Sequence, residues 1–109
     1  MDMNTPHPLE ITDSLQKLGD NIRVARLRRS LTQAELAQKC LVSRKTIAAL
    51  EQGAPGTSVG TLLSVLWSLG LLDTANGMAD PSTDEHGMVL ENASRKQRVR
   101  NPAPLDNDF

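Results

Sequence analysis

The feature that most constrains this fold is a pair of short helix signals that begin eleven residues apart. The first is the sequence TQAE, in which the Thr32 hydroxyl can accept the Glu35 amide and the Glu35 carboxylate can accept the Thr32 amide. The second begins at Ser43, a favoured residue type for a helix N-cap. The spacing predicts two helices joined by a tight turn, over residues 32–40 and 43–52.

Apolar periodicity predicts further helices on both sides of this pair. Asp13 can cap a helix whose apolar residues recur at steps of three and four and form one stripe: Leu15, Leu18, Ile22 and Ala25. That helix is expected to end near Ser30, and a strongly apolar helix is expected to begin at Ser58. We therefore predict an all-α domain of four to five helices over residues 13–72.

The two ends of the chain carry weaker signals. Residues 1–12 are polar and contain two prolines, so we expect a flexible N-terminal arm. Residues 73–109 are expected to form a C-terminal extension that is less ordered than the helical domain. A capping-box pattern at Ser82 predicts a short helix there, at 84–93. The tail over residues 102–109 is expected to be disordered.

The charge of the chain is divided into blocks. The net charge of the 109 residues is −1, and a near-neutral chain is not typical of a nucleic-acid-binding protein. However, residues 17–45 alone carry +6, residues 73–91 carry −5 and residues 95–100 carry +4. Because a polyanion responds to the local field, the basic first half is compatible with DNA binding.

Several other protein classes are excluded by what the sequence lacks. No apolar run reaches the length of a membrane helix, and the N-terminus does not resemble a signal peptide, so we expect a cytoplasmic protein. Cys40 is the single cysteine, and neither histidine has a partner at metal-ligand spacing, so no metal is expected. No catalytic set or cofactor motif is recognisable; we expect no cofactor and no enzyme activity.

The segment LTQAELAQKCLVSRKTIAALEQG (residues 31–53) resembles the helix-turn-helix of phage repressors, the XRE/Cro/C1 family. The likeness extends from Leu18 to Leu72. Within it, LGDNIRVARLRRSLTQAELA and VGTLLSVLWSLGLLD are similar to HipB-like subunits that are encoded together with HipA-type kinases. The resemblance implies a phage-repressor-like fold that binds double-stranded operator DNA as a homodimer.

In this motif the second helix of the pair lies in the major groove, with its N-terminal residues at the base edges. The residues expected to read bases are Arg44, Lys45, Ala48 and Ala49. The planar guanidinium of Arg44 suits the two acceptors of guanine, and the two alanines are short enough to touch a thymine methyl.

The resemblance also implies phosphate contacts around that helix. They fall on Gln33, Ser43, Arg26, Thr57 and Ser58. Arg26 and Glu51 match a family pair that bridges the first and third helices; the alternative is two independent surface charges.

Three features leave two interpretations open. Trp67 is either a core residue or an anchor in a dimer or partner contact. Phe109 either ends a mobile tail or docks on a kinase subunit, as the aromatic ends of HipB-like tails can do. The basic run at 95–100 is either a solvated segment or a second contact with DNA or a partner.

The function that these observations favour is a sequence-specific transcriptional repressor that regulates its own operon. The resemblance implies a toxin–antitoxin operon and a HipA-like serine/threonine kinase as the partner. One alternative is a stand-alone phage-type or metabolic repressor without a toxin. A second alternative is a protein–protein interaction module that keeps the helix-turn-helix fold without binding DNA.

Overall fold

A computed structural model of the chain describes residues 8–100, with side chains for residues 8–99. The regular secondary structure of these residues consists of helices only, which confirms the all-α class. The elements are α1 (Leu9–Arg28), α2 (Gln33–Cys40), α3 (Arg44–Glu51), α4 (Val59–Ser68), α5 (Leu72–Ala75), a short 3-10 helix (Pro81–Thr83) and α6 (Glu85–Arg100). The described residues up to Ala75 form one unit, which contains α1–α5, and those from Asn76 onward form a second.

Helix α1 begins five residues earlier than the sequence predicted, because its N-cap is Pro8 rather than Asp13. Pro8 is its N-cap, and its carbonyl accepts hydrogen bonds from the amides of Ile11 (3.0 Å) and Thr12 (3.2 Å). Proline is well suited to a helix start because its fixed φ matches the helix and its missing amide is not needed there. Asp13 therefore lies inside the helix, and residues 9–12 are helical rather than part of an arm. The rest of the predicted arm, residues 1–7, lies outside the described residues.

Local hydrogen bonds define the start of α2 and α3 where the sequence placed them. The Thr32 hydroxyl accepts the Glu35 amide at 3.0 Å, and the Glu35 carboxylate accepts the Thr32 amide at 3.0 Å. These bonds hold the pKa of Glu35 below its ordinary value. The Ser43 hydroxyl accepts the Thr46 amide at 3.2 Å and so begins α3. Between the two helices Leu41 has left-handed backbone, with φ +56°.

The first unit buries one large aliphatic side chain from each of its four longest helices. Ile22 of α1, Leu36 of α2, Ile47 of α3 and Val65 of α4 are almost completely buried. The other buried hydrophobic residues are Ala25, Ala37, Leu50, Leu66 and Leu69. Burying a side chain of this size stabilises a fold by about 1.5–3 kcal/mol, so this shared core fixes the position of α3 against its neighbours.

Two glycines allow α1 to lie close to the end of α3. A Cβ on Gly19 would come within 2.5 Å of the Glu51 carbonyl oxygen, a distance that real Cβ atoms do not adopt. Gly53, directly after α3, has φ +79° and would place a Cβ 3.1 Å from the Gln16 backbone. The chain therefore needs glycine at both points of this crossing.

Helix α4 is shorter than its apolar sequence predicted. Ser58 caps it, with the Thr61 amide donating to the Ser58 hydroxyl at 3.1 Å, but the helix ends at Ser68 rather than at residue 72. Gly70 adopts a φ of +76°, and the Leu71 amide turns back to the Leu66 carbonyl at 2.7 Å. Glycine in left-handed backbone is a common helix stop, and the chain resumes as the single turn α5.

The helix predicted at 84–93 is longer in the structure, because α6 continues to Arg100 and includes the basic run. Its cap is Asp84, whose carboxylate accepts the Gly87 amide at 2.9 Å, and not the predicted Ser82. Every described side chain of α6 is exposed, with the half-buried Gly87 as the exception. Residues 102–109, including Phe109, lie outside the described residues.

Candidate nucleic-acid interface

The N-terminal end of α3 presents two cations to solvent. Arg44 and Lys45 are its first two residues, both are exposed, and no acidic residue lies in that first turn. Cations at a helix N-terminus oppose the helix dipole, so their position does not stabilise the helix. The arrangement instead provides two long positive side chains that an anion can reach.

A shallow open groove lies between α3 and the start of α4. It brings together Ala49 with Thr57 and Ser58, three of the residues singled out from the sequence. The lining residues are Thr46, Ala49, Ala54, Gly56, Thr57, Ser58 and Thr61. Ala48 is half-buried beside Ala49, so the two alanines leave a low surface along this part of α3.

Thr46 belongs to this groove and was not identified from the sequence. Its hydroxyl lies 2.9 Å from the Ser43 hydroxyl, and its amide donates to the same oxygen. The sequence did contain a signal for Thr46, because a hydroxyl residue three positions after a serine cap faces that cap. The pair places two hydroxyl groups side by side at the end of α3 that carries Arg44.

The structure brings Arg26 and Glu51 together as a buried, two-pronged ion pair. Arg26 donates from Nε to Glu51 Oε2 at 2.6 Å and from Nη2 to Oε1 at 2.9 Å. The remaining guanidinium nitrogen, Nη1, donates to the Leu31 carbonyl at 2.8 Å. Two parallel bonds of this kind are the strongest form of arginine–carboxylate contact. The pair therefore links α1 to the end of α3.

A third helix joins this network through Gln33. The Gln33 side-chain amide donates to Glu51 Oε1 at 3.2 Å, which the sequence did not predict. Gln33 is the first residue of α2 and is half-buried. The carboxylate of Glu51 thus holds residues of α1 and α2 at one point, and the side chain of Gln33 has a defined position at the start of its helix.

The expected phosphate contact of Arg26 does not fit this geometry. Only 7% of the residue is exposed, and each of its three guanidinium nitrogens already bonds an internal acceptor. The guanidinium is buried and held in place by these bonds, so it points into the protein rather than toward a ligand. The structure supports the bridging role of Arg26 and leaves little of the residue exposed for a phosphate contact.

The charges of the pair stabilise each other. Burial raises the pKa of Glu51, but the hydrogen bonds from Arg26 and Gln33, with the positive charges of Arg26 and Arg23, outweigh burial and the pKa is lowered. The hydrogen bond to Glu51 raises the pKa of Arg26 against the effect of burial. Both groups are therefore charged in the folded protein at neutral pH.

Trp67 does not lie in the core, because 67% of it is exposed. It lines an open cleft with Lys39 and Ser68 at the C-terminal ends of α2 and α4. Cys40 contacts the same end of α4, with its sulfur 3.3 Å from the Ser68 hydroxyl oxygen. Trp67, one of the two aromatic candidates for a partner contact, is therefore a surface residue.

Within the described part of the chain, no helix is long and apolar enough to span a membrane. The same residues contain no group of three histidine, cysteine or carboxylate side chains placed to hold a metal ion.

Comparison with known proteins agrees with the geometry of α2 and α3. A family model described as a helix-turn-helix domain matches residues 17–75, more than half of the chain. No curated protein and no solved structure matched the chain. The matched segment contains both capped helices and the buried ion pair that joins them to α1. The chain therefore belongs to the helix-turn-helix domain family, and this membership indicates a DNA-binding regulator.

Proposed function

We propose that this protein is a sequence-specific transcriptional repressor that reads a palindromic operator as a homodimer. The observation that carries the proposal is the exposed N-terminus of α3, where Arg44 and Lys45 extend from a serine-capped helix with no carboxylate in its first turn. A dimer of this fold presents two such helices to successive major grooves, about 34 Å apart.

Four side chains of α3 have distinct tasks in this complex. Arg44 donates two hydrogen bonds to one guanine, and Lys45 supplies a second positive donor at the base edges. Ala48 and Ala49 allow the helix to approach and to contact a thymine methyl. The buried Arg26–Glu51 pair takes no part in contact and fixes the angle of α3 instead.

Phosphate contacts flank the reading helix on both sides. Gln33 lies at the start of α2, and Ser58 caps α4, so both have helix N-terminal amides nearby that favour an anion. Ser43 and Thr57 add hydroxyl groups closer to α3. Such contacts fix the register of the protein on the duplex without reading its sequence.

Arg44→Ala provides the first test, by gel-shift titration against the DNA upstream of the protein's own gene. We expect the specific affinity to fall about 5- to 150-fold, the equivalent of the roughly 1–3 kcal/mol of one bidentate base contact. The matched variant Arg44→Lys keeps the charge but not the planar fork, so it should retain more affinity while losing discrimination between operator and random DNA. Unchanged affinity and sequence preference in Arg44→Ala would remove the proposed role.

Salt dependence separates this function from a protein–protein module on the same fold. A complex with six to ten phosphate contacts loses about 10³- to 10⁵-fold in affinity between 50 and 200 mM salt. A module that does not use DNA shows no such steep decline.

We further propose that the repressor is the HipB-like component of a toxin–antitoxin operon and binds a HipA-like serine/threonine kinase. The support is the similarity of residues 18–37 and 59–73 to HipB-like subunits. Co-purification from the native operon, with the mass of the complex measured on and off DNA, tests this. Recovery of the repressor alone from an operon without a kinase gene would favour a stand-alone regulator.

A further inference from the structure

The basic run at residues 95–100 forms the C-terminal end of α6, and no part of the proposed function uses it. It contains three arginines and one lysine, and no carboxylate follows Glu91 in the helix. The run lies beyond residue 75, where the match to the helix-turn-helix family ends, so membership of that family does not explain it. We call residues 95–100 the basic end of α6.

The cations of the basic end are open to solvent and to ligands. Lys96 and Arg98 are exposed, and within the described part of the chain neither has a carboxylate at salt-bridge distance. Arg95 bonds Glu91 at 2.6 Å, but its side chain is 67% exposed, and a pair of this kind contributes little. At about 100° per residue, the three side chains leave the helix within an arc of about 160°. One side of α6 therefore presents three positive charges together.

The rest of α6 offers no hydrophobic surface to a protein partner. Its large apolar side chains before the basic end are Met88, Val89 and Leu90, and all three are exposed. Because these residues are consecutive, they point to three different sides of the helix and form no apolar stripe. A helix that binds in an apolar groove needs such a stripe, at steps of three and four residues. The chemistry of α6 therefore favours a partner that is held by charge.

The density of charge favours a polyanion over a single anionic group. The helix dipole favours cations near a helix C-terminus, but like charges one turn apart, such as Arg95 and Arg98, repel each other. Stability of the unbound helix therefore does not account for four cations in six residues. A nucleic-acid duplex removes this repulsion, because each cation can neutralise one phosphate and release a condensed counterion.

DNA is the polyanion that this chain meets in the proposed function. When α3 occupies an operator, the covalent link to α6 keeps the basic end near the same duplex. This tethering gives the phosphates an effective concentration that a separate acidic protein does not have. Among polyanions, the observations therefore favour DNA.

We propose that the basic end of α6 is a second DNA contact, which binds backbone phosphates without reading the sequence. The proposal rests on the proposed function for the presence of DNA and adds a contact outside the helix-turn-helix. It assigns recognition of the operator to α3 and part of the salt-dependent affinity to α6.

Neutralising three cations tests the proposal in the full chain. The variant that combines Arg95→Gln, Lys96→Gln and Arg98→Gln loses the charge, while glutamine keeps a helix propensity close to that of lysine and arginine. Fluorescence anisotropy with a labelled random duplex between 50 and 200 mM salt gives the slope of log affinity against log salt. Each phosphate contact contributes about −0.9 to this slope, so it should become shallower by about 2 to 3, with a loss of about tenfold or more at 50 mM salt. An unchanged slope would overturn the proposal.

Two matched variants isolate the role of charge. Lys96→Gln alone should make the slope shallower by about 0.9, whereas Lys17→Gln, which removes an exposed cation from α1, should not change it. Arg95→Lys with Arg98→Lys should restore the slope that the glutamine variant loses, since a phosphate contact of this kind needs the positive charge rather than the planar fork. Equal changes in Lys96→Gln and Lys17→Gln, or a lysine variant as weak as the glutamine variant, would refute the contact.

Preference for the operator over random DNA separates this proposal from the proposed function. The triple glutamine variant should lose affinity for both DNAs by a similar factor, whereas Arg44→Ala should lose the preference between them. If the triple variant matches the parent on both DNAs while Arg44→Ala loses the operator, the proposed function stands and the α6 contact is refuted. If Arg44→Ala changes nothing while the triple variant loses DNA, α6 binds DNA and the proposed role of α3 fails. Loss of an acidic protein from the native complex, with DNA binding intact, would refute the DNA contact and assign the basic end to a protein partner.

Discussion

Two arginine–glutamate ion pairs of equal length occur in the described residues, and they differ in burial and in the elements that they join. The Arg26–Glu51 pair and the Arg95–Glu91 pair each have a nitrogen–oxygen distance of 2.6 Å. The side chains of the first are 8% and 2% exposed, and those of the second are 67% and 59% exposed. The first joins α1 to α3, whereas the second connects successive turns of α6.

Distance therefore does not measure what an ion pair contributes. Removing one partner from the buried pair leaves a charge without water or a counter-ion. Because the pair and Gln33 join α1, α2 and α3, the packing of all three helices is affected. Removing one partner from the exposed pair leaves a charge that water solvates at once. The predictions below separate the two cases, from the largest expected effect to the smallest.

Glu51→Ala should destabilise the protein by about 3–5 kcal/mol in urea unfolding, because Arg26 is then buried with an uncompensated charge. The Gln33 side chain loses its acceptor as well. The double variant Arg26→Met with Glu51→Leu should recover most of that loss, since it replaces both charges by apolar groups. A double variant as unstable as Glu51→Ala would show that packing, and not the unpaired charge, sets the cost.

Gly19→Ala should destabilise by about 1–3 kcal/mol, because the added methyl group meets backbone carbonyls at the end of α3. Alanine is a better helix former than glycine, so the same substitution should stabilise a helix wherever the added methyl group has room. Gly60→Ala in α4 is the matched control, since its Cβ would meet nothing within 4 Å, and it should stabilise by about 0.5–1 kcal/mol. Thermal unfolding of the two variants measures both signs.

Acid should weaken the fold partly through Glu51. Its pKa is lowered in the folded state, so the unfolded chain takes up the proton first, at about pH 4.3. The contribution is complete above that pH and is lost as pH falls through the folded pKa. Between about pH 5 and 3, stability should therefore fall more steeply in the parent than in Glu51→Gln, with a residual slope from Glu35 and Asp80, whose pKa values are also lowered. If stability falls equally steeply with pH in the parent and in Glu51→Gln, this account is contradicted.

Glu91→Ala should change stability by about 0.5 kcal/mol or less, although it removes a pair of the same 2.6 Å length. Even this small effect should fade in 1 M salt, where exposed charges are screened. A loss comparable to that of Glu51→Ala would mean that α6 depends on contacts which its exposure does not reveal.

The features that the sequence predicted best are those whose hydrogen bonds are local. The caps at Thr32, Ser43 and Ser58 each depend on residues three positions away, and all three were found where their motifs stand. The turn between α2 and α3 follows from the same spacing. The start of α1 was misplaced because Asp13 is also a good cap, and Pro8 made the longer helix available.

The features that the sequence could not predict depend on residues far apart in the chain. Helix propensity alone marks Gly19 as a residue that weakens α1, and its role becomes visible only when α3 lies against it. Gln33 reaches Glu51 across eighteen positions, so no local motif announces that bond. The burial that excludes Arg26 from solvent follows from the packing of three helices and not from its neighbours in sequence.

In the proposed DNA complex, the short length of α3 limits the number of base pairs that one copy of the protein contacts. Eight residues rise about 12 Å, which spans roughly three to four base-pair steps of 3.4 Å. A sequence of four letters recurs by chance about once in 256 positions, whereas a genome offers on the order of a million or more competing sites. Two such four-letter sequences at a fixed separation recur about once in 65,000 positions, so in the proposed dimeric complex the spacing of the half-sites contributes to specificity as much as their letters do.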